Sequence, residues 1–222
     1  KAVGLAGAVS VNQLDTTTWA GISGSTLVVV GDVTVAAEAT GEILAVAAGL
    51  GGAPRGYGVA GSVASNTIDT STRAWMDGGS ITASSLTIDA KDTTSIIAVG
   101  GAIAFGGKAG IGAGIAYNRI DGGAEAVLDG TDVNISGAVT VTATNSSKIT
   151  SVAAAIAASY SSPSPQKGNA LGTGSSSYAL AAGISINAVT TDTIAKLVNS
   201  GTDSDPLQAG TVTVSATDTE SR

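Results

Sequence analysis

The residues able to do chemistry in this 222-residue chain are few and recur at long, regular intervals. There is no cysteine and no histidine, which removes thiol nucleophiles, disulfides, zinc-finger ligation and imidazole acid–base catalysis together. The carboxylates that remain include a recurring set, Asp15, Asp69 and Asp121, broken at Thr190. Calcium favours several oxygen ligands, but neither the glycine–aspartate nonapeptide of calcium β-rolls nor the EF-hand spacing is present, so turn capping is the expected role. Lys91/Asp92 and Asp203/Asp205 are local pairs without the clustered partners that glycoside hydrolysis or polysaccharide lysis needs. The sequence therefore predicts no catalytic residues, no metal site and no cofactor.

Other residues recur with the aspartates. Asn12, Asn66, Asn118 and Asn187 open four related stretches, each followed by a Val-Thr-Val-x-Ala-like segment around Thr34, Thr87, Thr140 and Thr213. The asparagines are expected to satisfy backbone groups at a bend or to stack as an amide ladder. The threonines suit a solvent-facing strand position better than an ice- or sugar-binding array, because the second place of the Thr-x-Thr pair is Ala36 in one copy and Asp89 in another. Trp19 and Trp75 are offset by two positions, so no aromatic column forms from them, and together with Tyr57 they read as single surface aromatics.

The Asn anchors lie 54, 52 and 69 residues apart, which points to a stacked array. Approximate repeats are 1–56, 57–109, 110–179 and 180–222, in one repetitive β domain. Each divides into halves. The first half contains Asp15-Thr-Thr-Thr, Asp69-Thr-Ser-Thr or Asp121-Gly-Gly, residues with turn chemistry, so short strands joined by bends are expected there. In the second half Val99, Ile103 and Phe105 alternate with Ala98, Ala102 and Ala104. After Gly106-Gly107-Lys108, Ile111, Ile115 and Tyr117 alternate with Gly110, Gly112 and Gly114. This pattern predicts long strands with a bulky face in a core and a Gly/Ala face against a near neighbour.

The fold class is all-β, a repetitive solenoid of the parallel β-helix kind, with a layered sheet of long Gly/Ala-rich hairpins as the alternative. A half-repeat of 25–29 residues per coil would give seven or eight coils, a stack about 35 Å long, and asparagines about 9.6 Å apart. Ile96–Tyr117 is apolar, but its glycines and period-two alternation exclude a membrane-spanning helix. The net charge of −7 argues against nucleic acid and anionic lipid, and no membrane insertion is expected.

The alternating Gly/Ala-rich strand, the Asn-x-Ile-Asp motif and the Val-Thr-Val-x-Ala-x-Asp motif resemble the repeats of very large bacterial surface proteins, the filamentous-haemagglutinin-like and leukotoxin-type filamentous adhesins. The likeness covers the chain except Ser159–Ser177. It implies a non-catalytic, secreted or surface-displayed β-rich stalk, with no catalytic residues to transfer. The expected partners are further copies along the stack and a host or cell-surface glycan or protein. The absence of polar capping repeats adds the expectation of a fragment cut from a longer array. The one departure from the repeat, Ser159–Ser177, is where a ligand-contacting loop is expected, with Tyr160, Gln166, Lys167 and Asn169 as its contact residues.

Overall fold

The computed structural model describes residues 2–160, 177–201 and 206–221. They form eleven strands, β1 (Val3–Ser23), β2 (Thr26–Val28), β3 (Asp32–Ala53), β4 (Tyr57–Asp77), β5 (Ser80–Ala83), β6 (Ser85–Gly106), β7 (Ala109–Asp129), β8 (Asp132–Ile135), β9 (Ala138–Ser159), β10 (Tyr178–Val198) and β11 (Thr211–Ser221). All sheets are parallel: β1-β4-β7-β10 forms a first wall, β3-β6-β9-β11 a second, and β2-β5-β8 a short third. The chain is a parallel β-solenoid.

One coil takes a whole repeat, contrary to the half-repeat expectation. Asn12 pairs with Asn66, Asn66 with Asn118 and Asn118 with Asn187 on neighbouring strands. Each half-repeat is one long wall of a coil, and its ladder partner is the same half one repeat later. The described residues make four coils, and three strand spacings give a stack about 14 Å deep. The hairpin alternative fails for the same reason: β3 and β4 are consecutive and face each other, but each bonds to its counterpart in the next coil. The connectors at 54–56 and 107–108 are corners between the two walls.

The expected bends at Asp15–Thr18, Asp69–Thr72 and Asp121–Gly123 are absent. These segments lie within unbroken 21-residue strands, because parallel neighbours satisfy the backbone that the Asp and Thr side chains would otherwise cap. The real turn out of the first wall comes later. There Gly24, Gly78 and Gly130 hold φ of 56°, 63° and 59°, and Asn199 in the fourth coil holds 50°. Glycine carries no Cβ penalty in this left-handed region, and asparagine is the side-chain-bearing residue that tolerates it best.

Along the strands the cross-section changes character. At the three-walled end, which we call the body, Met76, Ile81, Leu86, Ile88, Leu128, Val133, Val139 and Val141 fill a closed core. The Val-Thr-Val-x-Ala segments point Val, Val and Ala inward and Thr outward, as their alternation predicts. Next comes a polar layer containing Thr70, Thr72, Asp92, Thr94, Asn145 and Ser147, then stacked Ile68/Ile120 facing Ile43/Ile96/Ile149, then the asparagines. Beyond them only two walls remain, and their facing residues are glycine, alanine and serine; we call this part the blade.

The bulky residues of the blade point outward, against expectation. Ala98, Ala102, Ala104 and Ala116 are buried, whereas Val99, Ile103, Phe105, Ile111 and Ile115 are 37–49 % exposed. The walls are too close for anything else. A Cβ on Gly49 or Gly51 would collide with the carbonyl oxygens of Gly61 or Val59 across the gap, and one on Gly110 with that of Ala158.

The asparagines run through the interior as a chain of amides. Asn12 Nδ2 donates to Asn66 Oδ1, Asn66 Nδ2 to Asn118 Oδ1, and Asn118 Nδ2 to Asn187 Oδ1, each at 2.8 Å. The ladder expected as one of two structural roles is thus direct, and the 9.6 Å separation does not occur. Asn66→Ala, which removes the amide that links half-buried Asn12 to buried Asn118, should cost about 3 kcal/mol in urea unfolding, against about 1 kcal/mol for Asn12→Ala at the first coil.

Candidate functional site

Three places on the described surface and interior gather chemistry-bearing side chains. The first is an open groove of about 520 Å³ on the outer face of the first wall, lined among others by Trp19, Asp69, Arg73, Asp121, Glu125 and Asp192. Register explains it: Trp19, Arg73, Glu125 and Ile194 occupy equivalent positions on adjacent strands, and Trp75 sits two residues further along. Trp19 and Trp75 are offset as the sequence indicates, but diagonal neighbours on one sheet face are within reach of aromatic rings. Their centroids lie 6.3 Å apart at an interplanar angle of 84°. The Arg73 guanidinium stands 5.1 Å from the Trp75 ring, in cation–π range, and its Nε is 3.1 Å from Glu125 Oε2. Gly21 makes the room, since a Cβ there would enter the Trp75 ring. The two tryptophans are therefore one cluster, whereas Tyr57 stands apart at the start of β4. The clue was the shared 54-residue register, which brings positions 19, 73 and 75 together.

Asp15, Asp69 and Asp121 line up on the same outer face, one strand apart. Asp15 accepts a hydrogen bond from Gln13, and Asp121 pairs with Arg119. Among the described residues no three carboxylates, histidines or cysteines converge as a metal site. The threonine positions Thr34, Thr87, Thr140 and Thr213 face outward as an ordinary strand surface, and Thr142 beside them donates to Asp89 at 2.6 Å. On the second wall Glu38 accepts from Lys91 at 2.7 Å, and this bond holds the lysine pKa above its usual value.

The second place is an apolar pocket of about 510 Å³ at the blade tip, lined by Pro54, Phe105, Ala158, Tyr160 and neighbouring glycines. Phe105 protrudes there because its counterparts in the adjoining coils are Gly52 and Ala158. Tyr160, one of the expected contact residues, is on this rim. Gln166, Lys167 and Asn169 lie outside the described residues, as do Asp203 and Asp205.

The third is internal. Asp92 is fully buried; its Oδ2 accepts from Thr72 at 3.1 Å, whereas Oδ1 has no hydrogen-bond partner. Burial pushes its pKa up, and hydrogen bonds from Thr70 and Thr72 oppose the shift only in part. Asn145, its neighbour in the next coil, donates to Asp218 at 2.9 Å. Lys91 and Asp92, a local pair in the sequence, are sent to opposite faces by strand alternation, Lys91 outward and Asp92 inward.

A carboxyl whose folded pKa lies above the unfolded value of about 3.9 binds protons more readily in the folded state. Its stabilising effect is complete below the unfolded value and is lost as pH rises through the folded one. Asp92→Asn should therefore raise the melting temperature at pH 7, and the gain over the parent chain should shrink steadily in melts taken toward pH 3.

No protein-family model matches this chain, and neither a curated protein nor a solved structure matches it.

Proposed function

We propose that the chain is a non-catalytic structural segment, a stalk that extends by adding coils, in a giant secreted or surface-displayed bacterial protein. The observation that carries this reading is the register. Four coils repeat the same residue types at the same positions in both long walls and the interior amide chain, so each coil is the template for the next. A repeat whose energetics reside in nearest-neighbour contacts lengthens without redesign. Adhesion to a glycan or protein is then a property grafted on the stalk's surface, and the groove at Trp19, Trp75, Arg73 and Glu125 supports a carbohydrate-binding role as the second reading. An exposed indole beside carboxylates and a guanidinium offers both a stacking plane and hydroxyl partners.

Two experiments separate these readings. Tandem insertion of four extra copies of residues 57–108 after position 108 should give a folded protein whose stack deepens by about 19 Å while its length along the strands stays the same, seen in X-ray scattering as a larger radius of gyration, with higher unfolding cooperativity in urea. An expanded or unfolded product would sink the modular stalk. On a glycan array, binding that disappears in Trp19→Ala would establish the second reading, and reducing-sugar release from any polysaccharide would overturn the non-catalytic assignment.

A further inference from the structure

The blade presents large apolar residues to the outside on both walls, over a span that holds no charged side chain. On the first wall the exposed positions run Val3, Leu5, Gly7, Val9, Val11 in coil one and Tyr57, Val59, Gly61, Val63, Ser65 in coil two. Coils three and four continue with Ala109 to Tyr117 and Tyr178 to Ile186. Leu5 is 79 % and Val9 76 % exposed, and even in the inner coils Ile111 and Val63 keep 43 % and 40 %. A contiguous apolar face of this size marks an interaction surface.

Its relief is specific. Gly7, Gly61, Ala113 and Ala182 stack as a furrow, and Val9, Val63, Ile115 and Ile184 as the ridge beside it. A shallow cavity of about 240 Å³ lies along that furrow, lined by Gly7, Val9, Gly61, Val63, Ala113 and Ile115. Charge is divided as sharply. Among the described residues every acidic one lies outside the blade, whereas the corners at its tip carry Arg55 and Lys108. Just past the apolar span, on the body side, Asp15, Asp69 and Asp121 form a row on this same outer face, Asp121 being paired with Arg119 two residues before it.

We propose that this face pairs with the same face of a second copy of the chain, the two stacks side by side and their strands antiparallel. A twofold axis parallel to the stack, passing level with Ala8, Ser62 and Gly114, seats the Val9/Val63/Ile115/Ile184 ridge of each copy in the Gly7/Gly61/Ala113/Ala182 furrow of the other. The same operation sets Tyr57 over Thr67 and brings the tip Arg55 of each copy to Asp69 of its partner copy, whereas Asp121 keeps its own partner, Arg119. Shape and charge are thus self-complementary under one symmetry operation, as a twofold interface requires. The overlap covers about 19 Å by about 46 Å, or roughly 900 Å² per copy, close to the roughly 800 Å² a side of a stable protein interface.

The second wall lacks this complementarity. Its positions bordering the apolar span mix Glu42 and Glu38 with Lys148 and Lys91, so a cationic tip meets no uniform acidic row there. A lipid bilayer is the competing occupant, but hydrocarbon accepts no open sheet edge, and each wall here is an open sheet with two edges. The pairing is lateral, and it stands whether or not the stalk reading does.

Sedimentation velocity of the chain across concentration tests it, with circular dichroism confirming that each variant is folded. The expected result is a monomer–dimer equilibrium that weakens as salt rises. Val63→Asp should abolish it, and Arg55→Asp or Asp69→Arg alone should weaken it about tenfold, two symmetry-related contacts being lost at once. The double variant Arg55→Asp/Asp69→Arg should restore the parent affinity, a rescue that end-to-end stacking cannot produce. A folded chain that stays monomeric at high concentration, a dimer indifferent to Val63→Asp, or single charge reversals that the double variant fails to rescue would each overturn the proposal. So would flotation of a monomer with phosphatidylcholine vesicles, which would assign the face to lipid.

Discussion

Coil-on-coil register is the constraint from which the other features follow. In a parallel stack each side chain lies one strand spacing from its counterpart, so a residue is compatible with the fold only if its type can stack on itself. Asparagine meets this condition in a buried position because its amide carries a donor and an acceptor, and a column of amides passes hydrogen bonds along without leaving one over. The chain from Asn12 to Asn187 does this at 2.8 Å per link. A slip of one residue in any coil would turn every side chain of that strand to the wrong face, and it would also break the amide chain. The column therefore acts as a register pin between the isoleucine layer on one side and the blade on the other.

Asp92 shows the same rule strained. An aspartate stacked between Ala39 and Asn145 has no donor to offer while ionised, and its Oδ1 is left without a partner. The polar layer around it, Thr70, Thr72 and Thr94 with Asn145 and Ser147, supplies hydroxyls and amides that substitute for water. Burying a carboxylate costs more than hydroxyl contacts return, which is why its proton affinity rises.

Much of the architecture was legible in the sequence for the same reason. Positional recurrence of Asn, of Val-Thr-Val-x-Ala and of the Gly/Ala alternation gave an all-β stacked array, and the inward Val and outward Thr of the second motif follow directly from period two. Other features were not legible. Alternation at Val99–Phe105 and Ile111–Tyr117 shows that the faces differ but not which one is inside, and the habit of burying bulky residues chose wrongly. Nor does a half-repeat of strand-like character show whether it is a coil or one wall of a coil; only pairing partners settle that. The Asp15, Asp69 and Asp121 segments do not turn, because Asp faces outward and the intervening Thr, as at Thr70 and Thr72, fills the interior polar layer of a strand whose backbone pairs with the adjoining coil. The Trp19–Trp75–Arg73 cluster needed the register before the diagonal contact became visible, and of the expected ligand loop only Tyr160 falls among the described residues.

The inversion of the blade is itself a consequence of geometry. Two walls joined by corners of two or three residues, as at 54–56 and 107–108, cannot separate to the roughly 10 Å at which facing sheets accommodate large side chains. Only glycine, alanine and serine fit between them, and the carbonyl contacts that a Cβ at Gly49, Gly51 or Gly110 would meet show how little space is left. Such an interior buries little apolar area per residue, so it contributes far less by the hydrophobic effect than the body core does. Val, Ile and Leu on the outside retain the backbone preference for strand and shield the ladder hydrogen bonds from water, yet they leave apolar surface that the chain alone does not cover. A short corner at the tip thus fixes a thin interior, and a thin interior forces the large residues outward.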